Sequence, residues 1–384
     1  MNETPTQFLQ LAPSTLYPAR SGDARRIIGI ANGFLESNVE CVTVGKNFVH
    51  FSDEHVIQFA YPKGPLQRNL RAIIACLRRG HYNEAMHCTA GWKKRVEPYL
   101  LDRRFNAIFC NFIWTYPLIA EFAVGRRLIV DTHNSEWDWY KSLKDSSNNP
   151  IIRQLCDFSF RRSTQIMAML PVGTVMTHVS TSDMEAYKNV RQDLDHVVLP
   201  NGAGVRSRKV LPDYQSTRKT LLFVGSLGVK MNLDALKHFE QKFWPILKDH
   251  VKVIVAGSNP SGAVQRLVTT NGWEIRPNLS DEQLDTCFEE AHFAILPFEY
   301  GNGSKLKFFD ACSRGIPILS TESGACGQEF FPSIATLSND PKIWLERILQ
   351  RQGISEIELA ETEKFAAEFS WKSVVGKILH KPSV

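Results

Sequence analysis

No two of the eight cysteines form a Cys-x-x-Cys pair and their spacing is irregular. That excludes a zinc ribbon or a disulfide framework as the organising scaffold. No apolar run approaches the ~20 residues of a membrane-spanning helix. Neither an internal repeat nor a low-complexity tract is present, so a solenoid or a disordered chain is not expected. The G-x-G-x-x-G fingerprint of dinucleotide binding is also missing. Met1 is followed by polar Asn-Glu-Thr-Pro-Thr, not by a basic start and an apolar core. The expectation is therefore a chain without a secretory leader, with reduced thiols, in a cytoplasm. A net charge of +5 is mild, and no nucleic-acid partner is expected.

What remains is ordinary globular material. The chain has 384 residues, 43% hydrophobic and 22% charged, enough for two domains rather than one. One stretch organises the reading: Gly301-Asn-Gly-Ser-Lys-Leu-Lys-Phe-Phe-Asp310-Ala-Cys-Ser-Arg-Gly315. An apolar run, Phe293 to Pro297, reads as a buried strand before it, and Ile316 to Leu319 reads as another after it. Leu306, Phe309 and Cys312 or Ser313 recur at helical spacing, and Gly315 stands where a helix end favours glycine. The unit is strand, glycine-bearing loop, helix, strand. Glycines let backbone N–H groups approach an anion, and the helix N-terminus adds donors and a positive dipole end. Lys305 and Lys307 place full positive charges in a first turn that ordinarily favours acids, so a bound anion is the simplest reason for them. Asp310 lies about seven residues into the helix, roughly 10 Å from the loop at ~1.5 Å per residue. That suits a carboxylate accepting from ribose hydroxyls while the loop holds a diphosphate. A solvated helix behind a tight turn is the plainer alternative.

These residues resemble the donor-binding element of the group 1 (family 4) glycosyltransferases. There, two carboxylates separated by seven residues, with a later glycine, hold the sugar and ribose of a nucleotide sugar. Here the positions are Asn302 and Asp310 where glutamate is usual. The resemblance implies two Rossmann-like α/β domains facing a cleft, the GT-B arrangement. It implies no cofactor beyond a UDP- or GDP-linked sugar as substrate, no metal, and a retaining outcome. A second alternation of strands and helices begins near Lys219, and its first loop, Gly225-Ser-Leu-Gly-Val-Lys230, is similar to the family's cationic phosphate loop. Ser226 replaces its arginine, and Lys230 falls one residue short of its lysine. The resemblance then assigns Gly225, Ser226, Lys230, Gly303, Ser304, Lys305, Leu306 and Lys307 to the diphosphate side. It gives Asp310 to ribose, and Arg276 and its neighbours to the base.

The first half opens with a strand at Phe8–Leu11, a loop to Asp23, a helix over about 24–35 and a strand at Val39–Val44. By resemblance Gly22 faces the acceptor, with Arg25 and Arg26 nearby; an arginine-rich structural turn is equally compatible. Buried strands are read at Asn106–Cys110 and Arg127–Asp131. The second runs into Asp131-Thr-His133-Asn-Ser-Glu136, at the strand end where open α/β sheets bind ligands. His133 matches the family's strand-end histidine and is assigned with Asn302 to the transferred sugar. Asp131, His133 and Glu136 also invite a metal reading, though no fourth ligand supports it. Ser182-Asp-Met-Glu185 and Ser280-Asp-Glu-Gln283 read as capping boxes. Pro200-Asn-Gly202 ends the first domain (residues 1–202) and the second follows (203–370), with the last helix, about 371–384, returning to the first.

Residues 61–100 hold eight Lys and Arg against Glu84 and Glu97. Leu66, Leu70, Ile73, Ile74 and Leu77 form an apolar stripe there, ringed by Arg68, Arg71, Arg78 and Arg79. Such a helix either packs on a sheet or rests on an anionic membrane, where a lipid-linked acceptor would be collected. The expected activity is sugar transfer from a nucleotide sugar to a carbohydrate or lipid-linked acceptor in polysaccharide or glycolipid assembly. The rivals are an epimerase or hydrolase on the same fold and a catalytically silent sugar-nucleotide-binding protein.

Overall fold

The computed structural model describes residues 6–16, 21–50, 56–58, 73–74, 80–204, 210–300, 304–327 and 332–379. Two compact units divide the chain: Met1–Pro200 with Trp371–Val384, and Asn201–Ser370.

The first unit is built on eight strands, β1 (Phe8–Leu11), β2 (Cys41–Val44), β3 (Phe48–His50), β4 (Val56–Gln58), β5 (Ala107–Asn111), β6 (Arg127–Thr132), β7 (Val175–His178) and β8 (Asp195–Val198). Their order is β4-β3-β2-β1-β5-β6-β7-β8. The strands pair in parallel except β3, which runs against both β2 and β4. β1, β2 and β5 are buried along their whole length, as both-face coverage by crossover helices requires. The chain order reverses between β1 and β5, so the carboxyl ends of β1, β5 and β6 border a topological switch point.

Ser21 caps the helix Gly22–Glu36, its side chain accepting from the Ala24 N–H. The final helix, Trp371–Leu379, lies on that helix. It does so at Gly29 and Gly33, where any Cβ would overlap the Trp371 indole or backbone. Two glycines one turn apart are what allow so close an approach.

The second unit has six strands, β9 (Lys219–Ser226), β10 (Val251–Ser258), β11 (Glu274–Pro277), β12 (Phe293–Leu296), β13 (Ile318–Ser320) and β14 (Ala335–Leu337). All are parallel, in the order β11-β10-β9-β12-β13-β14. Its switch point lies between β9 and β12. A core rich in Phe (223, 239, 243, 288, 298, 308, 309, 365) fills the unit.

Some local readings need correction. The Ser182–Glu185 capping box does not form: the cap is Ser180, which accepts from the Asp183 N–H, and the helix is Thr181–Lys188. At Ser280 both bonds of the box are present. The helix after the Gly225–Lys230 loop begins at Lys230 and becomes a π-helical turn over Phe239–Phe243. Of the apolar stripe, Ile73 and Ile74 are helical, whereas Leu66, Arg68, Leu70, Arg71, Leu77, Arg78 and Arg79 lie outside the described residues. Asn302 and Gly303 do as well.

Candidate functional site

In the second unit the site grows from the carboxyl end of β9. Gly225 and Gly257 sit side by side on β9 and β10 in register, so close that a Cβ on Gly257 would overlap the Gly225 carbonyl. A Cβ on Gly225 would lie 3.0 Å from Asn232 Nδ2 and 3.1 Å from Lys307 Nζ. Only glycine leaves that approach open. Lys307 reaches this point from the first turn of the helix Leu306–Cys312, at the opposite side of the switch point. Its ammonium donates to Asn232 Oδ1 at 2.8 Å. It also lies 4.5 Å from the Phe298 ring centroid and 4.9 Å from that of Phe223, so two aromatic faces hold the charge in place. Asn232 Nδ2 donates to the Ser226 carbonyl at 2.9 Å, locking the loop. Asn201 does the same on the other loop, donating to the Ser304 carbonyl at 3.2 Å.

The remaining donor-side residues fall around this centre unequally. Lys305 occupies the N-cap position without a side-chain cap bond, its Nζ 5.8 Å from the Phe298 centroid. Ser304 and Leu306 flank it, half-buried. Lys230 is exposed and paired with Asp234 at 2.6 Å, and Tyr300 donates to the same carboxylate. Asp310 is half-buried, with Oδ1 3.6 Å from Arg314 Nη1. Arg314 is itself held by Asp285 at 3.0 Å. Arg276, assigned to the base, is already engaged by carboxylates. Its guanidinium meets Glu290 through both Nη atoms, at 2.8 and 2.7 Å, and Glu274 through Nε at 2.6 Å. It therefore braces β11 against the helix Asp281–Glu290. Gly315 takes the left-handed conformation (φ 66°) that ends the Leu306–Cys312 helix.

In the first unit the strand ends carry a polar centre. Asp131 is fully buried, and Arg26 embraces it through Nε (2.9 Å) and Nη2 (2.7 Å). The same guanidinium donates to the Leu199 and Pro200 carbonyls, and Thr177 donates to Asp131 Oδ1 at 2.7 Å. Burial alone would raise the Asp131 pKa. The charge and hydrogen bonds of Arg26 outweigh it and hold the carboxyl below its ordinary range. His133 Nε2 lies 3.1 Å from Asn111 Oδ1 and 3.3 Å from Asp131 Oδ2. Burial lowers the His133 pKa to about 4, against the opposing pull of Asp131. Its ring stacks on Phe112 with centroids 4.1 Å apart, and Phe112 stacks in turn on Trp114 at 4.7 Å. Phe112 has φ 67° and ψ 134°, a conformation that bulky residues adopt only under strain.

Glu136 is buried and accepts from Trp114 Nε1 at 3.1 Å. Burial pushes its pKa up to about 8, the indole bond only partly offsetting it. Asp131 and Glu136 thus serve Arg26 and Trp114, and among the described residues no group of His, Cys, Asp or Glu is arranged to hold a metal. Gly22 is exposed at the start of its helix and Arg25 is half-buried beside it, whereas Arg26 is the buried partner of Asp131. Asn111, Asn201 and Asn232 went unread in the sequence because a lone asparagine carries no periodic signal. The Pro-Asn-Gly turn at 200–202 was the one local pointer.

Comparison with known proteins agrees with this geometry. Residues 218–350 match the family model of glycosyl transferases group 1. Over 97% of each chain, the fold matches a sucrose-phosphate synthase from Thermosynechococcus elongatus, with TM-score 0.68 and 12% identity. An α,α-trehalose-phosphate synthase from Burkholderia xenovorans matches with TM-score 0.61 and 11% identity, over 97% of this chain and 99% of that one. WaaG, a glycosyltransferase involved in lipopolysaccharide biosynthesis, matches with TM-score 0.59 and 12% identity, over 97% and 100%. An uncharacterised 44.6 kDa protein in the cps region of Klebsiella pneumoniae is 21% identical over 249 residues, 61% of this chain and 62% of that relative. The match thus spans less than two thirds of that relative's length. The chain has the GT-B fold of the glycosyltransferases. The likeness to the group 1 glycosyltransferase model lies within its second unit.

Proposed function

We propose that the protein transfers a sugar from a UDP- or GDP-linked donor to an acceptor hydroxyl in polysaccharide or glycolipid assembly. The observation that carries this reading is Lys307, seated between two aromatic rings against Gly225 at the switch point of the second sheet. A cation beside a strand-end glycine, with a helix N-terminus alongside, suits a diphosphate. In this reading Gly225, Ser226, Gly303, Ser304, Lys305, Leu306 and Lys307 hold the diphosphate. Lys230 lies further out and Asp310 takes the ribose. Asn302 and His133 meet the transferred sugar, and Gly22 and Arg25 lie on the acceptor side. Chemistry then rests on stabilising the departing phosphate and orienting the acceptor hydroxyl, with retention at the anomeric carbon. The genomic label of the cps-region relative is consistent with polysaccharide assembly.

Calorimetric titration with UDP and GDP tests the site. Lys307→Ala should weaken binding by the ~1.5–3 kcal/mol of a charged hydrogen bond, and Lys305→Ala together with it by more. Lys230→Ala, losing an exposed contact, should change affinity little. Loss at Lys230 equal to that at Lys307 would move the diphosphate away from Gly225. For the acceptor we propose a lipid-linked carbohydrate reached through the basic region 63–104, where Lys93 and Lys94 are exposed on the helix Ala90–Leu101. Salt-sensitive co-sedimentation with anionic liposomes is the expected result. Its absence would leave a soluble acceptor.

A further inference from the structure

We propose that Asp131 and Asn111 are positioning residues that hold His133 as the Nε2–H tautomer, so that the ring offers its ligand an acceptor nitrogen, Nδ1. The group His133 recognises is then a hydroxyl and not an anion. The argument runs from the atoms that face Nε2. Asn111 Nδ2 donates to the Leu11 carbonyl at 3.0 Å, which fixes the amide orientation and turns Oδ1, an acceptor, toward His133 at 3.1 Å. Asp131 Oδ2, at 3.3 Å, belongs to a carboxylate kept ionised by Arg26 and accepts only. Two acceptors around one nitrogen require that nitrogen to carry the hydrogen. Among the described residues none donates to or accepts from Nδ1.

The charged groups facing the ring are Asp131, Arg26 and Asp23; burial, aided by Arg26, keeps the imidazole neutral over the ordinary pH range against the opposing pull of the two carboxylates. A neutral ring protonated at Nε2 has a lone pair at Nδ1 and nothing to donate there, so a phosphate oxygen would be repelled and a sugar hydroxyl accepted. Phe112 stacks on the ring and fixes its plane. Arg26 extends the same chain of contacts to the Leu199 and Pro200 carbonyls, so the orientation of Asp131 does not depend on His133.

That the hydroxyl belongs to a sugar rests on the proposed transfer reaction, whereas the tautomer does not. The experiment is two-dimensional ¹⁵N–¹³C NMR of the full chain labelled at histidine, with the His133 signals assigned by their loss in His133→Gln. At neutral pH the wild-type ring should show the neutral Nε2–H pattern, unchanged by inorganic phosphate. Asn111→Leu should redistribute it toward a mixture of tautomers, and Asp131→Asn should do so independently if it folds. An Nδ1–H or doubly protonated wild-type ring would overturn the proposal, as would protonation of Nδ1 on adding phosphate. A ring still wholly Nε2–H in folded Asn111→Leu would overturn the positioning role. Failure to find sugar transfer would leave these spectra unchanged, so the two readings fail separately.

Discussion

Among single residues, Glu136 makes the sharpest demand on pH. It is buried, no cation pairs with it among the described residues, and burial raises its pKa from 4.5 to about 8. Below pH 4.5 both folded and unfolded chains carry it protonated, and nothing is lost. As pH rises toward 8 the unfolded chain ionises while the folded one resists. Stability should therefore fall across that window by up to ~1.4 kcal/mol per pH unit. Denaturant melts should show Glu136→Gln, which keeps the acceptor for Trp114, flattening this slope and gaining most near pH 8. A slope unchanged by the substitution would mean the carboxyl is ionised in the fold. Asp131 behaves oppositely: its burial is matched by Arg26, so removing it by Asp131→Ala strands a guanidinium and should cost ~3–5 kcal/mol. Asp310→Ala should leave folding intact, because its partner Arg314 retains Asp285. By calorimetry it should weaken nucleotide-sugar binding by at least ~1.5 kcal/mol, and unchanged affinity for every nucleotide would remove it from the ribose site.

At the scale of elements, the contact of the helices Gly22–Glu36 and Trp371–Leu379 rests on Gly29 and Gly33. Gly29→Leu would drive a side chain into the Trp371 indole, and overpacking of this kind costs ~1–3 kcal/mol or more. The expected result is a lower thermal midpoint with earlier proteolysis after Ser370. An unchanged midpoint would show that the last helix slides without cost. Elements with clear periodic or apolar signals were legible in the sequence: β1, β6, the helix Leu306–Cys312 and the Gly315 stop all lie within a residue or two of their reading. Short strands such as β3, β4 and β14 were not, because three residues carry no period and cannot be told from a loop by sequence alone. The Ser182 reading failed for a related reason. Ser180 and Ser182 each stand three residues before an acid, Asp183 or Glu185, and only tertiary packing chooses between them. At the candidate site, the closeness of Lys307 to Gly225 joins two residues that the sequence had singled out separately. The asparagines that lock Ser226, Ser304 and His133 were not legible, because each acts on a backbone or side chain brought near by folding.

For the whole molecule, the central claim is transfer of a sugar from a nucleotide to an acceptor. Both sheets reverse chain order at a switch point, and each switch point carries its own polar centre: cations and glycines on the second unit, and a neutral histidine on a buried ion pair on the first. In the proposed reaction the second centre would meet the donor phosphate and the first a hydroxyl. An epimerase or hydrolase would place an acid–base pair at the first centre. Instead Glu136 turns to Trp114, and His133 is held by Asp131 and Asn111. The most direct test is mass-spectrometric analysis of the full chain incubated with UDP- and GDP-sugars, with lipid-linked and free carbohydrate acceptors present. The account predicts that one donor yields nucleotide together with an acceptor one sugar heavier, and that both products fall in parallel in Lys307→Ala. Recovery of an epimerised nucleotide sugar, or release of free sugar with every acceptor unmodified, would contradict it.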